Sequence, residues 1–200
     1  GGACAQILGM HQEGLRRSRN GFELDPSNAI SEHGVCFSLI YSKDIETAKN
    51  NAIKGLKKHP GFHRFVWDLS ICHILEGEPQ KAIDVFETQK PDLKGMTTLY
   101  VNLGVAHYKA GNKEKAYQLL VELMTLSQQM YVPKEKIAHF CFVVGLEEQG
   151  FYWLEKALEE RSTTLGFYTA FLPKKYLDDP RYLNVMNQIK GWVPWSYEKS

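Results

Sequence analysis

Seven histidines, four cysteines and 23 acidic residues are the side chains of this 200-residue sequence best suited to chemistry. Their spacing decides whether they can do any. Cys4, Cys36, Cys72 and Cys141 form no Cys-x-x-Cys pair, and no histidine cluster completes a zinc site. Their expected state is free, mostly buried thiols in a reducing compartment. His59 and His63 stand four apart, but Pro60-Gly61 breaks the helix that would align them. His73 and His107 share a metal only if the chain repeats with their own separation. The carboxylates of "EERS" and "LDDP" read as helix-end charges, not as an acid/base pair in a pocket. Gly-x-Gly-x-x-Gly and P-loop patterns are absent. The basic stretch "GLKKHPGFHR", Gly55 to Arg64, reads as a solvated helix end. The expectation is a chain with no catalytic residues, no metal and no cofactor, and so not an enzyme.

Composition agrees with a folded globular chain. Hydrophobic residues make up 44% and charged residues 24%, ordinary for a globular chain. The net charge of +1 offers no basic excess for nucleic acid, so no nucleic-acid partner is expected. No run of apolar residues is long enough to span a membrane, and the first residues lack the apolar segment of a signal peptide. A cytoplasmic location and no membrane partner are the expectation. The chain starts Gly-Gly rather than Met, which suggests a fragment of something longer.

What would position side chains here is a repeat. From Gly111, a step of 34 residues reaches Gly145 forward and Gly77 backward. Ala116 recurs as Ala82 and Ala48, and as Gly150. Leu103 recurs as Leu69, Val35 and Ile137. Gly104 recurs as the small residues Ser70, Cys36 and Ala138, and Leu120 as Phe86, Ala52 and Leu154. Pro60 recurs as Pro26. A period of 34 residues marks stacked helix pairs.

At these residues the sequence resembles the tetratricopeptide-repeat family. Tyr100, Leu103, Gly104, Ala116 and Leu120 of "VNLGVAHYKAGNKEKAYQLL" and its preceding tyrosine sit in the family register, with His107 and Tyr108 at the second aromatic slot. The resemblance implies an all-α, right-handed superhelix of antiparallel helix pairs with a C-terminal capping helix. Four repeats are expected at 29–62, 63–96, 97–130 and 131–164. Residues 1–28 would hold the end of a truncated repeat, closing in "FELDPSNA", and 165–200 a connector, capping helix and aromatic tail, all one continuous domain. Gly104 and Ala116 are read as small residues that let the two helices of one pair approach. Gly77, Gly111 and Gly145 are read as helix-ending turn residues. The first repeat departs, with Lys43 in the turn and Ala52 in the large slot. Pro91 should stop the second repeat's helix near Lys90. Asp179-Pro180 should begin a last helix reaching about Lys190, with Tyr182, Leu183, Met186 and Ile189 on its buried face.

The tail carries a narrower resemblance. "YWLEKALEERSTTLGFY" and "YLDDPRYLNVMNQI" are similar to the ends of tetratricopeptide domains attached to bacterial signalling and transcription regulators.

In the family, the inner helices line a concave groove. The resemblance places Phe37 and Tyr41 there from the first repeat, and Arg64, Trp67, Asp68 and Ile71 from the second. The third supplies Val101, Asn102, Val105, Tyr108 and Lys109. The fourth supplies Glu135, Lys136, His139 and Phe142. Trp67, Tyr108 and Phe142 are the expected anchors, because aromatic side chains dominate binding hot spots; Trp67 and Phe142 equally suit packing between repeats or against the last helix. Members that grip a chaperone's C-terminal carboxylate use Lys, Asn and Arg at places held here by His33, Phe37, Asp68, Thr98 and Asn102, so that function is not expected. The implied function is a non-catalytic scaffold that binds an unknown protein or peptide. The alternatives are a self-association module, giving a homodimer, and a small-ligand sensor fused to an effector.

Overall fold

The computed structural model describes residues 5, 10–162, 164–165 and 172–189. The aromatic tail "GWVPWSY" and most of the connector before the last helices lie outside them. After α1 (His11–Leu24), four helix pairs follow: α2 (Ala29–Tyr41) with α3 (Ile45–Lys58), α4 (Arg64–Leu75) with α5 (Pro79–Gln89), α6 (Thr98–Lys109) with α7 (Lys113–Gln129), and α8 (Lys134–Val143) with α9 (Glu147–Glu159). Two short helices close the described chain, α10 (Lys174–Leu177) and α11 (Pro180–Met186). Within each pair the helices pack on one another. The inner helices α2, α4, α6 and α8 also lie side by side, and the fold is a tetratricopeptide-type superhelix.

The turns inside the pairs show how the repeat is written into backbone chemistry. Lys43, Gly77, Gly111 and Gly145 all have positive φ, of 63°, 77°, 88° and 83°. One residue later an amide closes the same bond each time. Asp44 N donates to Leu39 O (3.0 Å), Glu78 N to His73 O (2.8 Å), Asn112 N to His107 O (2.9 Å) and Leu146 N to Cys141 O (2.9 Å). This six-to-one closure satisfies a carbonyl that the helix end leaves free, and it needs a left-handed residue just before the donor. Lys43 therefore performs the glycine's task with a Cβ, against its steric preference. Lys43→Gly should stabilise the fold by about 1 kcal/mol, raising Tm by about 2–4 °C in calorimetry. No gain would mean that the lysine side chain offsets the strain.

Helix starts follow local signals. The Asn28 side chain accepts from Ile30 N (2.9 Å) and Ser31 N (3.3 Å), Asp44 caps α3 through Thr47 N, and Asp179 caps α11 through Arg181 N. Pro79 and Pro180 occupy first turns, where no amide hydrogen is needed. α5 ends at Gln89, one residue before the left-handed Lys90 and two before Pro91.

Packing divides the helices into two kinds. α4 is surrounded by α2, α3, α5 and α6, and nine of its twelve residues are buried, from Phe65 to Ile74. α5 buries only Ala82, Ile83 and Phe86, because its other face meets water. Gly104 serves a neighbour and not its own pair. A Cβ there would fall within the Phe140 ring, which comes from α8 of the next pair. Gly55 is likewise covered by Phe65 of the next pair, whereas Gly150 is covered by Phe142 of its own pair. The Phe65 ring is buried in one cluster with Ala52, Cys36 and Leu69.

The cap closes the far end. Phe142, Phe151, Leu154, Tyr176, Tyr182 and Met186 form one buried cluster. Arg181 stacks 3.7 Å from the centre of the Phe151 ring and reaches Glu147 (3.1 Å) and Glu148 (2.9 Å), tying α11 to α9. α11 ends at Met186, short of the expected Lys190, because Gln188 N and Ile189 N turn back to carbonyls only three residues earlier. Its buried face is Tyr182, Val185 and Met186, whereas Leu183 is exposed.

Candidate functional site: the face of the inner helices

The inner helices α2, α4, α6 and α8 carry every residue expected in the groove, and burial sorts those residues into two groups. Arg64 and Lys109 are exposed, and Phe37, Tyr108 and Lys136 are half-buried. Tyr41, Trp67, Asp68, Ile71, Val101, Asn102, Val105, Glu135, His139 and Phe142 are buried. Phe37 stacks against Tyr41 (4.7 Å between centroids) and Trp67 (5.5 Å), forming an aromatic corner between α2 and α4. Phe142 lies 4.6 Å from Tyr176 and 4.9 Å from Phe151, inside the cap cluster. Of the three expected anchors, Tyr108 is the one that is half-exposed; its ring receives Lys113 at 5.8 Å.

Buried polar groups stitch each inner helix to the next. His33 Nδ1 stands 2.8 Å from Asp68 Oδ2 and donates to it. Asp68 is wholly buried, and its Oδ1 has no hydrogen-bond partner among the described residues. Burial pushes the Asp68 carboxyl above the usual range, opposed by His33 and by the more distant Arg64. Asn102 Nδ2 donates to Ser70 Oγ (3.0 Å) and Trp67 O (3.4 Å), joining α6 to α4. Thr164 donates to Glu135 Oε1.

Lys136 is the unusual member. Its ammonium donates to Thr97 Oγ1 at 3.1 Å, a neutral acceptor. Burial pulls its pKa down to about 8, Glu135 pulls the other way, and Arg64 adds to the lowering. Neither Lys136 nor Arg64 forms an ion pair with a described residue. Arg64 thus repels the Lys136 ammonium, while the acidic charge near the two cations, Glu135 and Asp68, acts on them without a direct ion pair among the described residues. Arg64 is the first residue of α4, Thr97 precedes α6, and Lys136 lies in the first turn of α8. All three stand at the positive ends of parallel helices, which adds to the field. Sequence reasoning missed Thr97 as a member of this face, since it precedes α6 and the repeat pattern gives it no role; His33 was named only as a carboxylate-clamp position, not as the partner of Asp68. His139, buried beside Glu135 and Phe142 at a cavity of about 10 Å³, is held near pKa 4 by burial. That space suits a water and nothing larger.

The other candidate chemistry is weaker than its residue types suggested. Cys36, Cys72 and Cys141 are free and buried, and burial raises the thiols of Cys72 and Cys141 to about 12, so neither is a ready nucleophile. His107 is not drawn to His73; the latter turns toward Glu76 and Glu78. A surface depression of about 610 Å³ runs along α1 past Arg16, Arg19 and Glu23. Its described lining residues all come from that one helix. Among the described residues no helix is long and apolar enough to cross a membrane.

No family model matches the chain, and no curated protein matches it. Among solved structures it is similar to the crystal structure of the APC/C hetero-tetramer Cut9-Hcn1, a tetratricopeptide-repeat structure, with a TM-score of 0.62 at 18% identity. The likeness covers 92% of this chain and 37% of that one, so this chain spans little more than a third of its neighbour's length.

Proposed function

We propose that this tetratricopeptide-type superhelix is a non-catalytic binding module, and that its inner face takes a segment of a protein partner bearing an acidic side chain opposite Arg64 and Lys136. The observation that supports this reading is a pair of cations that form no direct ion pair among the described residues. A half-buried ammonium held by a neutral hydroxyl, and repelled by a second cation, is an arrangement that buried charges normally avoid unless a direct partner is supplied. A bound carboxylate would supply that partner. Phe37 and Tyr108, whose partly exposed rings lie farther along α2 and α6 toward their C-terminal ends, would take the apolar part of the segment. Asp68 does not oppose this, because it is sealed from the face and engaged by His33.

The test compares two fluorescein-labelled peptide pools, one of Glu, Leu and Tyr and the other with Gln in place of Glu. The expected result is salt-sensitive binding of the acidic pool, weakened about tenfold or more by Arg64→Gln and again by Lys136→Met. Equal binding of both pools, or indifference to both substitutions in folded protein, would discard the reading.

The similarity of residues 152–161 and 179–189 to the ends of bacterial tetratricopeptide domains supports a place within a larger cytoplasmic signalling or transcription-regulatory protein. Self-association is the competing reading, favoured by Leu24 and Ile30, 88% and 66% exposed around the α1–α2 corner. Light scattering separates the two readings, since a dimer that Leu24→Glu converts to monomer would establish self-association.

A further inference from the structure

At the opposite end of α4 from Arg64, three side chains with metal-binding atoms converge on one point. His73 lies in the last turn of α4, Glu76 follows that helix, and Glu78 precedes α5; Gly77 reverses the chain between the two acids. His73 Nδ1 is 3.1 Å from Glu78 Oε2 and 3.8 Å from Glu76 Oε2, and the three ligand atoms lie within 4.8 Å of one another. Ligands held about 2.0–2.1 Å from a tetrahedral ion stand roughly 3.4 Å apart. The two histidine distances bracket that value, so coordination needs side-chain shifts of well under an ångström for those pairs.

We propose that His73, Glu76 and Glu78 form a site for a divalent transition-metal ion of the Zn²⁺ and Co²⁺ type. Two features of the surroundings support a cation here. The site sits at the carbonyl end of α4, where the helix dipole favours positive charge. Lysines compete for its carboxylates: Lys49 Nζ reaches both oxygens of Glu76 at 2.5 and 2.7 Å and must yield Oε2 to an ion, and Lys81 Nζ holds Glu78 Oε1 at 2.7 Å. Glu78 divides its two oxygens between Lys81 and His73, so the lysine contact can persist while Oε2 turns to an ion. One imidazole nitrogen with two carboxylate oxygens selects for transition ions, since Mg²⁺ and Ca²⁺ prefer oxygen alone. The left-handed Gly77 sets the site's shape, and a bound ion would clamp the α4–α5 turn.

The remaining coordination positions face outward, because Glu76 and Glu78 are partly exposed and His73 is 13% exposed. Water would complete the shell.

The experiment is a Co²⁺ titration of the full chain, read by the visible d–d absorption and by competition with Zn²⁺. The expected result is one Co²⁺ per chain with a tetrahedral-type band, displaced by Zn²⁺, and a Tm raised by Zn²⁺ and lowered again by chelator. His73→Gln should weaken binding by at least about tenfold, and Glu78→Gln should do so independently. His59→Gln, at the other His–Glu contact (3.0 Å to Glu32), should leave binding unchanged. Lys49→Met/Lys81→Met should tighten it by removing competing charge. Absence of Co²⁺ binding by the intact chain, or binding by folded His73→Gln and Glu78→Gln proteins as tight as that of the intact chain, would overturn the proposal.

Discussion

His33→Leu should destabilise the protein by about 3 kcal/mol at neutral pH, one of the largest losses available from a single side chain outside the aromatic core. The reason is what it leaves behind. Asp68 is wholly buried, its Oδ2 is held by His33 at 2.8 Å, and its Oδ1 has no described hydrogen-bond partner. Removing the imidazole strands a carboxyl group in a low-dielectric interior. The remedy open to the chain is protonation, and this sets the pH dependence. Burial raises the folded-state pKa of Asp68 above its unfolded value, so the folded state binds the proton more tightly. Its contribution to stability is therefore fully present below the unfolded pKa, near 3.8, and is lost as pH rises through the folded pKa. The His33→Leu penalty should shrink as pH falls toward that value. Asp68→Asn should abolish the trend, and His33→Leu/Asp68→Leu should recover most of the stability, because an apolar pair leaves nothing unsatisfied. Urea unfolding across the acid range checks all three. A pH-independent His33→Leu penalty would show that the pair is not the source.

Gly104→Ala should lower stability by about 3 kcal/mol, or about 6–12 °C in Tm, although alanine is the better helix former by about 1 kcal/mol. The added methyl would occupy the space of the Phe140 ring, which is itself completely buried and cannot swing outward. α6 and α8 would have to separate, and the polar contact from Lys136 to Thr97 would lengthen with them. The substitution thus reaches the inner face without touching it. Combining Gly104→Ala with Phe140→Leu should cost less than the sum of the two single changes by at least about 1 kcal/mol, the mark of two side chains competing for one volume. Strict additivity in a double-mutant cycle would refute that contact.

Much of the architecture was legible before any coordinates. The 34-residue recurrence of Gly77, Gly111 and Gly145 located the turns, because a left-handed residue must follow each inner helix and glycine takes that conformation at least cost. It even located Lys43, which the pattern marks as a departure and which nonetheless adopts the same backbone. Pro91 placed the end of α5 for a similarly local reason, since proline restricts the residue before it and cannot continue the helical bonding. Backbone rules of this kind act within a few residues, so a linear pattern can carry them.

The inner face was legible only as a set of positions. Repeat register placed Trp67, Phe142 and Lys136 on the inner helices, but it carried no information about what lies over them. Phe142 is enclosed by Phe151 and Tyr176, from α9 and α10, and Lys136 meets Thr97 from 39 residues earlier. The role of Gly104 shows the same limit. Its smallness was visible, but the ring it accommodates belongs to the next helix pair. His73 shows the converse, for the repeat column pairs it with His107, whereas its partners lie three and five residues on, gathered by the turn at Gly77.

The sequence by itself determined the helix pairs, their period and their turns, because these follow from backbone conformations and capping bonds between near neighbours. Tertiary structure alone decided which side chains are sealed, which cations make no direct ion pair among the described residues and which glycine yields to which ring. Those properties depend on distances between groups 30 or more residues apart, and such distances exist only once the helices have stacked.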